Sequence, residues 1–193
     1  MVHGGIQRPP ESRKQPVTYL VEWRRIADAS CLILPIPLPS APKNPSQRSH
    51  GFKEWSSSII QNLSIVSHSV SPPHPQVTFR LTIQPLYANG LGNLHGGCTS
   101  TIFDICTTFP LQMISRPGFW QYSGVSRTLN VTYLRPVPVG TTVDIECEVV
   151  HAGQKLSSLR GVMRSATSDG TKGPVLAICE HGKVNTDPPV QKL

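Results

Sequence analysis

The chain has 193 residues, 18 Lys and Arg against 11 Asp and Glu, and a formal net charge of +7. That length suits one domain with a tail, and no apolar run in it is long enough to span a bilayer. Five cysteines, scattered and without a Cys-x-x-Cys pair, argue against a disulfide framework or a zinc site and for a reducing compartment.

Residues 1–50 carry eight of the 19 prolines, and their seven Lys and Arg outnumber three Asp and Glu. Much of the basic balance therefore belongs to this stretch. Residues 1–16 read as disordered. Tyr19 to Ala29 reads as a short helix, with Leu20, Trp23 and Ile26 at helical spacing. The apolar run Cys31–Leu34 is cut by Pro35, Pro37 and Pro39, so no secretory signal is read. Residues 35–50 read as an extended linker, because each proline fixes φ and removes a donor. The expected organisation is a Pro-rich basic extension over 1–50, a folded domain over 51–187 and a tail over 188–193.

Phe52 to Ile60 reads as a helix and Leu63 to Val70 as a strand, followed by a proline-rich turn at 71–75. In Val77 to Ile83, Val77, Phe79, Leu81 and Ile83 alternate with Thr78, Arg80 and Thr82. That is the pattern of a half-buried antiparallel strand. A glycine-broken loop at 86–93 leads to His95-Gly96-Gly97. A helix is expected from Leu94 to about Phe109, with Pro110 weakening its last turn. Leu94, Cys98, Ile102, Ile105, Cys106 and Phe109 supply its apolar spacing. It has almost no charge before Asp104, so other elements must wrap it. After a loop at 115–121, strands are expected at Ser123–Leu134, Thr142–Val150, Leu156–Ala166 and Val175–Val184, joined by turns at Gly153-Gln154 and Ser168-Asp169-Gly170. In the first of these, Ser126, Thr128, Asn130 and Thr132 are expected to share one polar face. The fold class is α+β: a curved antiparallel sheet wrapped around one central helix.

Two features of the helix carry chemistry. Gly96 sits at its start, where a backbone N–H lacks an intrahelical partner, the dipole favours negative charge, and glycine permits close approach of a ligand. The alternative role for Gly96 and Gly97 is a tight turn with close packing. Asp104 is a carboxylate on an otherwise apolar helix, which is costly if buried unless it is paired or used; the alternative is a surface Asp near the helix end. Eight residues separate the two, about 12 Å along one helix, so both cannot reach the same carbon atom. If both act in one reaction, Asp104 must come from a second subunit related by a two-fold axis.

The ordered set resembles a known family. It comprises Asn89, His95-Gly96-Gly97, Asp104, Gly124-Val125-Ser126 and the Tyr133-Leu134-Arg135-Pro136-Val137 turn ending at Gly140. This set is similar to that of the hotdog-fold acyl-CoA thioesterase superfamily, in the branch of phenylacetyl-CoA and medium- to long-chain acyl-CoA thioesterases. The resemblance covers about residues 52–185. It implies a hotdog fold and hydrolysis of an acyl-CoA or carrier-bound acyl thioester. Asn89 and the Gly96 N–H would polarise the carbonyl, Asp104 would act as base or nucleophile, and Ser126 would position the water. His95, Gly97, Lys155 and Arg127 complete the expected substrate-binding set, His95 by holding the loop. Arg135, Arg160, Arg164, Lys172 and Lys183 are further candidates for coenzyme A phosphates. Phe103, Phe109, Met113, Phe119 and Trp120 are candidates for an acyl pocket, and equally for core. His151 and His181 have no recognisable nucleophile context.

No metal or redox cofactor is expected, coenzyme A being part of the substrate. The expected partners are that substrate and a second copy of the chain, as a homodimer or dimer of dimers, without nucleic acid. A cytoplasmic location is expected, with mitochondrial and peroxisomal ones as alternatives. The C-terminal Gln191-Lys192-Leu193 matches a peroxisomal address only in its last two residues. A hotdog hydratase or dehydratase and a non-catalytic acyl-CoA-binding module remain the rival readings. The acyl group, from fatty-acid or secondary metabolism, is open.

Overall fold

A computed structural model describes residues 56–71, 74–169 and 171–188 of the chain. The readings for residues 1–50, the start of the helix at Phe52, Pro72-Pro73, Gly170 and residues 189–193 lie outside them. The described elements, in chain order, are α1 (Ser57–Asn62), β1 (Ser64–Ser69), β2 (Gln76–Thr82), a 3-10 turn (Pro85–Tyr87), α2 (Gly96–Met113), β3 (Val125–Tyr133), β4 (Thr142–Ala152), β5 (Leu156–Ser165) and β6 (Val175–Val184). The strands form one six-stranded sheet in the order β1-β2-β4-β5-β6-β3, every pair antiparallel. Helix α2 packs across β2 to β6. This is the expected α+β hotdog architecture.

The core lies between the sheet's inner face and α2. Val77, Phe79 and Leu81 of β2 and Val143, Ile145 and Cys147 of β4 are all buried. They join one cluster with Ile102, Phe103, Cys106 and Phe109 of α2. The Phe79 and Phe109 rings meet edge to face, 5.4 Å apart. At Gly161 a Cβ would stand 2.6 Å from Phe103 Cδ1 and 3.0 Å from Thr107 Cγ2. Glycine there lets the helix settle directly onto β5.

Two sequence expectations are corrected. Pro110 does not end α2, which continues through it to Met113. Pro110 and Leu111 are both buried, and Leu111 anchors a second apolar cluster with Trp120, Val149 and Leu159. That packing holds the last turn despite the missing donor. The second correction concerns β3. Ser126 is opposite Lys183, but Thr128 is opposite Gly182, leaving Arg127 as an extra residue. Past this bulge, Leu129 and Val131 face inward beside His181 and Cys179. Thr128, Asn130 and Thr132 therefore face outward. Ser126 does not share their face: the bulge turns it inward, toward α2. Bulges commonly re-aim a side chain in this way.

Among the described residues, strand β3 is an edge strand, hydrogen-bonded only to β6. Val125, Tyr133 and the following Leu134 are exposed along it.

Candidate active site

The start of α2 is built by its preceding loop. The loop is pinned by His95 N–H to Tyr87 O, Leu94 N–H to Val137 O (each 2.8 Å) and Asn89 N–H to Asn93 O (2.7 Å). Asn89 Oδ1 accepts from the N–H groups of Leu91 at 2.9 Å and Asn93 at 3.2 Å. Its carbonyl side is thereby fixed, and its Nδ2 amide is left to donate. The side chain thus shapes the turn through its oxygen and keeps its amide as a donor. His95 caps the helix: its Nδ1 accepts from Gly97 N–H at 3.0 Å. The ring hydrogen of the neutral imidazole is then on Nε2. Because the cap goes to Gly97, the Gly96 N–H has no partner among the described residues. Tyr133 closes over Gly96, its hydroxyl 2.9 Å from both Gly96 O and Ser100 Oγ. Asn89, Gly96, Thr99, Tyr133 and Arg135 line a cavity of about 440 Å³.

The second constellation lies two turns further along α2. Asp104 has a side chain 46% exposed, so it is not the buried carboxylate that the apolar helix suggested. Ser126 Oγ donates to Asp104 Oδ1 at 2.7 Å. His181 Nε2 is 2.9 Å from Ser126 Oγ and 3.3 Å from Asp104 Oδ1. His181 Nδ1 is 2.7 Å from Thr107 Oγ1, whose hydroxyl donates to Phe103 O at 2.7 Å. Lys183 Nζ donates to Thr108 Oγ1 at 3.0 Å, and Thr108 Oγ1 donates to Asp104 O at 2.7 Å.

This is not a nucleophilic triad. In a triad the carboxylate binds the imidazole nitrogen turned away from the serine. Here Asp104 and Ser126 share one nitrogen, and Thr107 takes the other. The arrangement instead orients a half-exposed carboxylate. Burial is the first cause that lowers the His181 pKa to about 4, the nearby Lys183 ammonium adds to it, and Asp104 opposes it. His181 is therefore a neutral imidazole at physiological pH. Burial lowers the Lys183 pKa, against the pull of Asp104. Of the described cysteines, Cys98 lies near the helix start; burial pushes its thiol up to about 11, so it stays protonated.

The structure brings Asn89, His95, Gly96 and Gly97 together at one end of α2 and Asp104 with Ser126 further along it. It does not unite the two groups within one chain. Lys155, in the β4–β5 turn, and Arg127, in the β3 bulge, are exposed. Several phosphate candidates are corrected. Arg160 and Arg164 lie on the outer sheet face, tied to Glu148 and Glu146, and Lys172 also pairs with Glu146. Lys183 is 5% exposed and faces inward. Phe103, Phe109 and Trp120 belong to the core; the Trp120 indole donates to Gly153 O at 2.8 Å.

In the sequence, Thr107 carries no site signal, His181 lacks a nucleophile context, Tyr133 stands only in the turn motif and Lys183 reads as a phosphate candidate. One signal was available for two of them. Alternation along β6 puts Ala177, Cys179, His181 and Lys183 on a single face. Two polar residues on a core-facing row call for partners.

The geometry can be set beside known proteins. Residues 91–170 match the family model described as Thioesterase superfamily. The mouse protein named acyl-coenzyme A thioesterase 13 is 30% identical over 99 residues, which are 51% of this chain and 65% of that protein. Its human counterpart is 31% identical over 88 residues, 46% of this chain and 60% of the relative. The chain thus spans less than two thirds of the length of these curated relatives. Among solved structures, mouse thioesterase superfamily member 2 aligns at a TM-score of 0.56 and 23% identity, covering 66% of this chain and 85% of that one. PaaI from the Escherichia coli phenylacetic acid degradation operon aligns at 0.55 and 15%, covering 67% and 86%. A hypothetical thioesterase from Streptococcus pneumoniae, solved with coenzyme A, aligns at 0.54 and 18%, covering 67% and 90%. The fold is therefore that of the hotdog thioesterases, the superfamily that the sequence resembles.

Proposed function

We propose that the protein is a thioesterase that hydrolyses an acyl-CoA to a free acid and a thiol. The observation that carries this reading is the half-exposed Asp104 carboxylate oriented by Ser126 Oγ at 2.7 Å. Two open donors, the Gly96 N–H and the Asn89 amide, complete the requirement for an oxyanion site. Asp104 takes a proton from water, and the oxygen attacks the thioester carbonyl. The oxyanion draws on Gly96 and Asn89. The C–S bond breaks, and the thiolate recovers the proton from Asp104. A relative named as an acyl-coenzyme A thioesterase and a fold neighbour solved with coenzyme A support the choice of thioester.

The reading requires two copies of the chain. Along a single α2, Gly96 and Asp104 are about 12 Å apart. The free edge of β3, with Val125, Tyr133 and Leu134 exposed, offers a surface for a second β3. A two-fold axis there sets Asp104 of each chain across from Gly96 and Asn89 of the other. The 440 Å³ cavity then holds the carbonyl end of the substrate. Its rim residue Arg135, with exposed Lys155 and Arg127, is a candidate for the phosphates.

The hydratase alternative needs a His working with an acid on the helix. His181 does approach Asp104, but its side chain is fully buried, whereas a hydratase imidazole must touch its substrate. The deciding experiment measures thiol release from a panel of acyl-CoAs by the purified full chain. Asp104→Asn is expected to lower turnover by orders of magnitude. Equal turnover in that variant, or hydration of crotonyl-CoA without thiol release, would sink the assignment.

A further inference from the structure

We propose that Lys183 is a positioning residue of the Asp104 site: its buried ammonium keeps the imidazole of His181 uncharged, so that the proton taken up at Asp104 remains on the exposed carboxyl group. This rests on the thioesterase reading above and deepens it.

The hydrogen bonds around His181 reveal the need. Four contacts run in series: Asp104 to Ser126, Ser126 to His181 Nε2, His181 Nδ1 to Thr107, and Thr107 to Phe103 O, at 2.7, 2.9, 2.7 and 2.7 Å. Each needs one proton. A carboxylate, two hydroxyls and a neutral imidazole supply only three. The series therefore has a place for one more proton, and the proton removed from water fills it. It can be held in two ways. In one, Asp104 is a carboxylic acid that donates to Ser126, and His181 is neutral. In the other, Asp104 stays a carboxylate and His181 becomes a buried imidazolium. Both satisfy all four contacts. Only the first leaves the proton where the leaving thiolate can take it.

Lys183 separates the two states. It lies on the same inward face of β6 as His181, two residues on, opposite Ser126 of β3 and Ser157 of β5. Thr108 holds its Nζ at 3.0 Å. Around His181, Asp104 and Thr107 face it from α2, Ser126 from β3, and Cys179 and Lys183 flank it on β6; its opposite residue on β5, Leu159, is apolar. Among the described residues, Lys183 is thus the cation of this interior. It also attracts Asp104, but that carboxylate is half exposed and screened by solvent. His181 is buried, so repulsion between the two cations is felt more strongly there.

The test uses the full chain with ¹⁵N-labelled histidine and follows the His181 ring nitrogens by NMR as pH is varied, His181→Gln assigning the signal. In the unaltered chain His181 is expected to remain neutral at neutral pH. In Lys183→Gln, which removes the charge but can still bond Thr108, its titration midpoint should rise by about one to two pH units. Lys183→Arg should restore the parent behaviour. The acidic limb of kcat/KM in Lys183→Gln should move the same way, with kcat reduced and KM unchanged, because Lys183 touches no substrate. An unmoved midpoint in Lys183→Gln overturns the proposal. So does an imidazolium at neutral pH in the unaltered chain, a result that needs no variant to fold. Absence of thiol release by the unaltered chain would instead overturn the thioesterase reading and leave the histidine titration as measured.

Discussion

Ser126→Ala tests the site most directly, because one hydroxyl connects two of its groups. Ser126 Oγ gives its hydrogen to Asp104 Oδ1 at 2.7 Å and lies 2.9 Å from His181 Nε2. Alanine removes a hydrogen bond to a charged acceptor, worth about 1.5–3 kcal/mol. If that bond orients the base in the transition state, kcat/KM should fall about 10- to 150-fold. Alanine also leaves a nitrogen of the buried His181 without its neighbour, at a cost of about 1–3 kcal/mol in stability. The assay is thiol release from an acyl-CoA, with urea unfolding to confirm that the variant is folded. Acting through Asp104, Ser126 should add little once the carboxylate is gone. Asp104→Asn/Ser126→Ala should therefore be no slower than Asp104→Asn alone. A single variant within about twofold of the parent, or a double variant that multiplies the two losses, would refute the reasoning.

Asn89→Asp keeps the acceptor for Leu91 and Asn93 N–H but loses the amide donor, so thermal stability should hold while kcat drops about 100- to 1000-fold; equal losses on both counts would mean that Asn89 only shapes the loop. If each site combines two chains, mixing Asp104→Asn with Asn89→Ala protein under subunit exchange should recover about a quarter of parent activity, since half the dimers carry one intact site of two; no recovery despite exchange would place each site within one chain. His181 is depressed to about 4 from an ordinary 6.5. Below 6.5 the unfolded chain takes up a proton that the folded chain refuses, so stability falls as pH drops from about 6.5 to 4, by on the order of 3 kcal/mol. Urea midpoints across that range should show the decline, and His181→Gln should flatten it. Gly161→Ala drives a methyl against Phe103 and Thr107 and should cost about 1–3 kcal/mol in unfolding free energy.

Much of the fold was legible because its periodicities are local. The alternation of Val77, Phe79, Leu81 and Ile83 gave β2 to within a residue at each end, and β6 fell on the expected residues. The small-residue helix without a charged face became the element that the sheet wraps. Its pitch alone separated Gly96 from Asp104, so that a single site using both would take two chains. What stayed hidden depends on partners distant in sequence. Alternation put Ser126 on one polar face of β3 with Thr128, Asn130 and Thr132, and only pairing with β6 revealed the bulge at Arg127 that separates it from them. His181 lacked any nucleophile context in its own segment, because its neighbours come from α2 and β3, with Thr107 74 residues away.

Backbone dihedrals repeat along a segment and leave their period in the residues, so the sequence by itself determined the strands, the central helix and the spacing along it. Strand order and register follow from which distant segments compete best for the same backbone partners, and no local period records that competition. Placing β6 between β5 and β3 set His181 and Lys183 beneath Asp104 and gave a lone carboxylate its hydrogen-bonded surroundings.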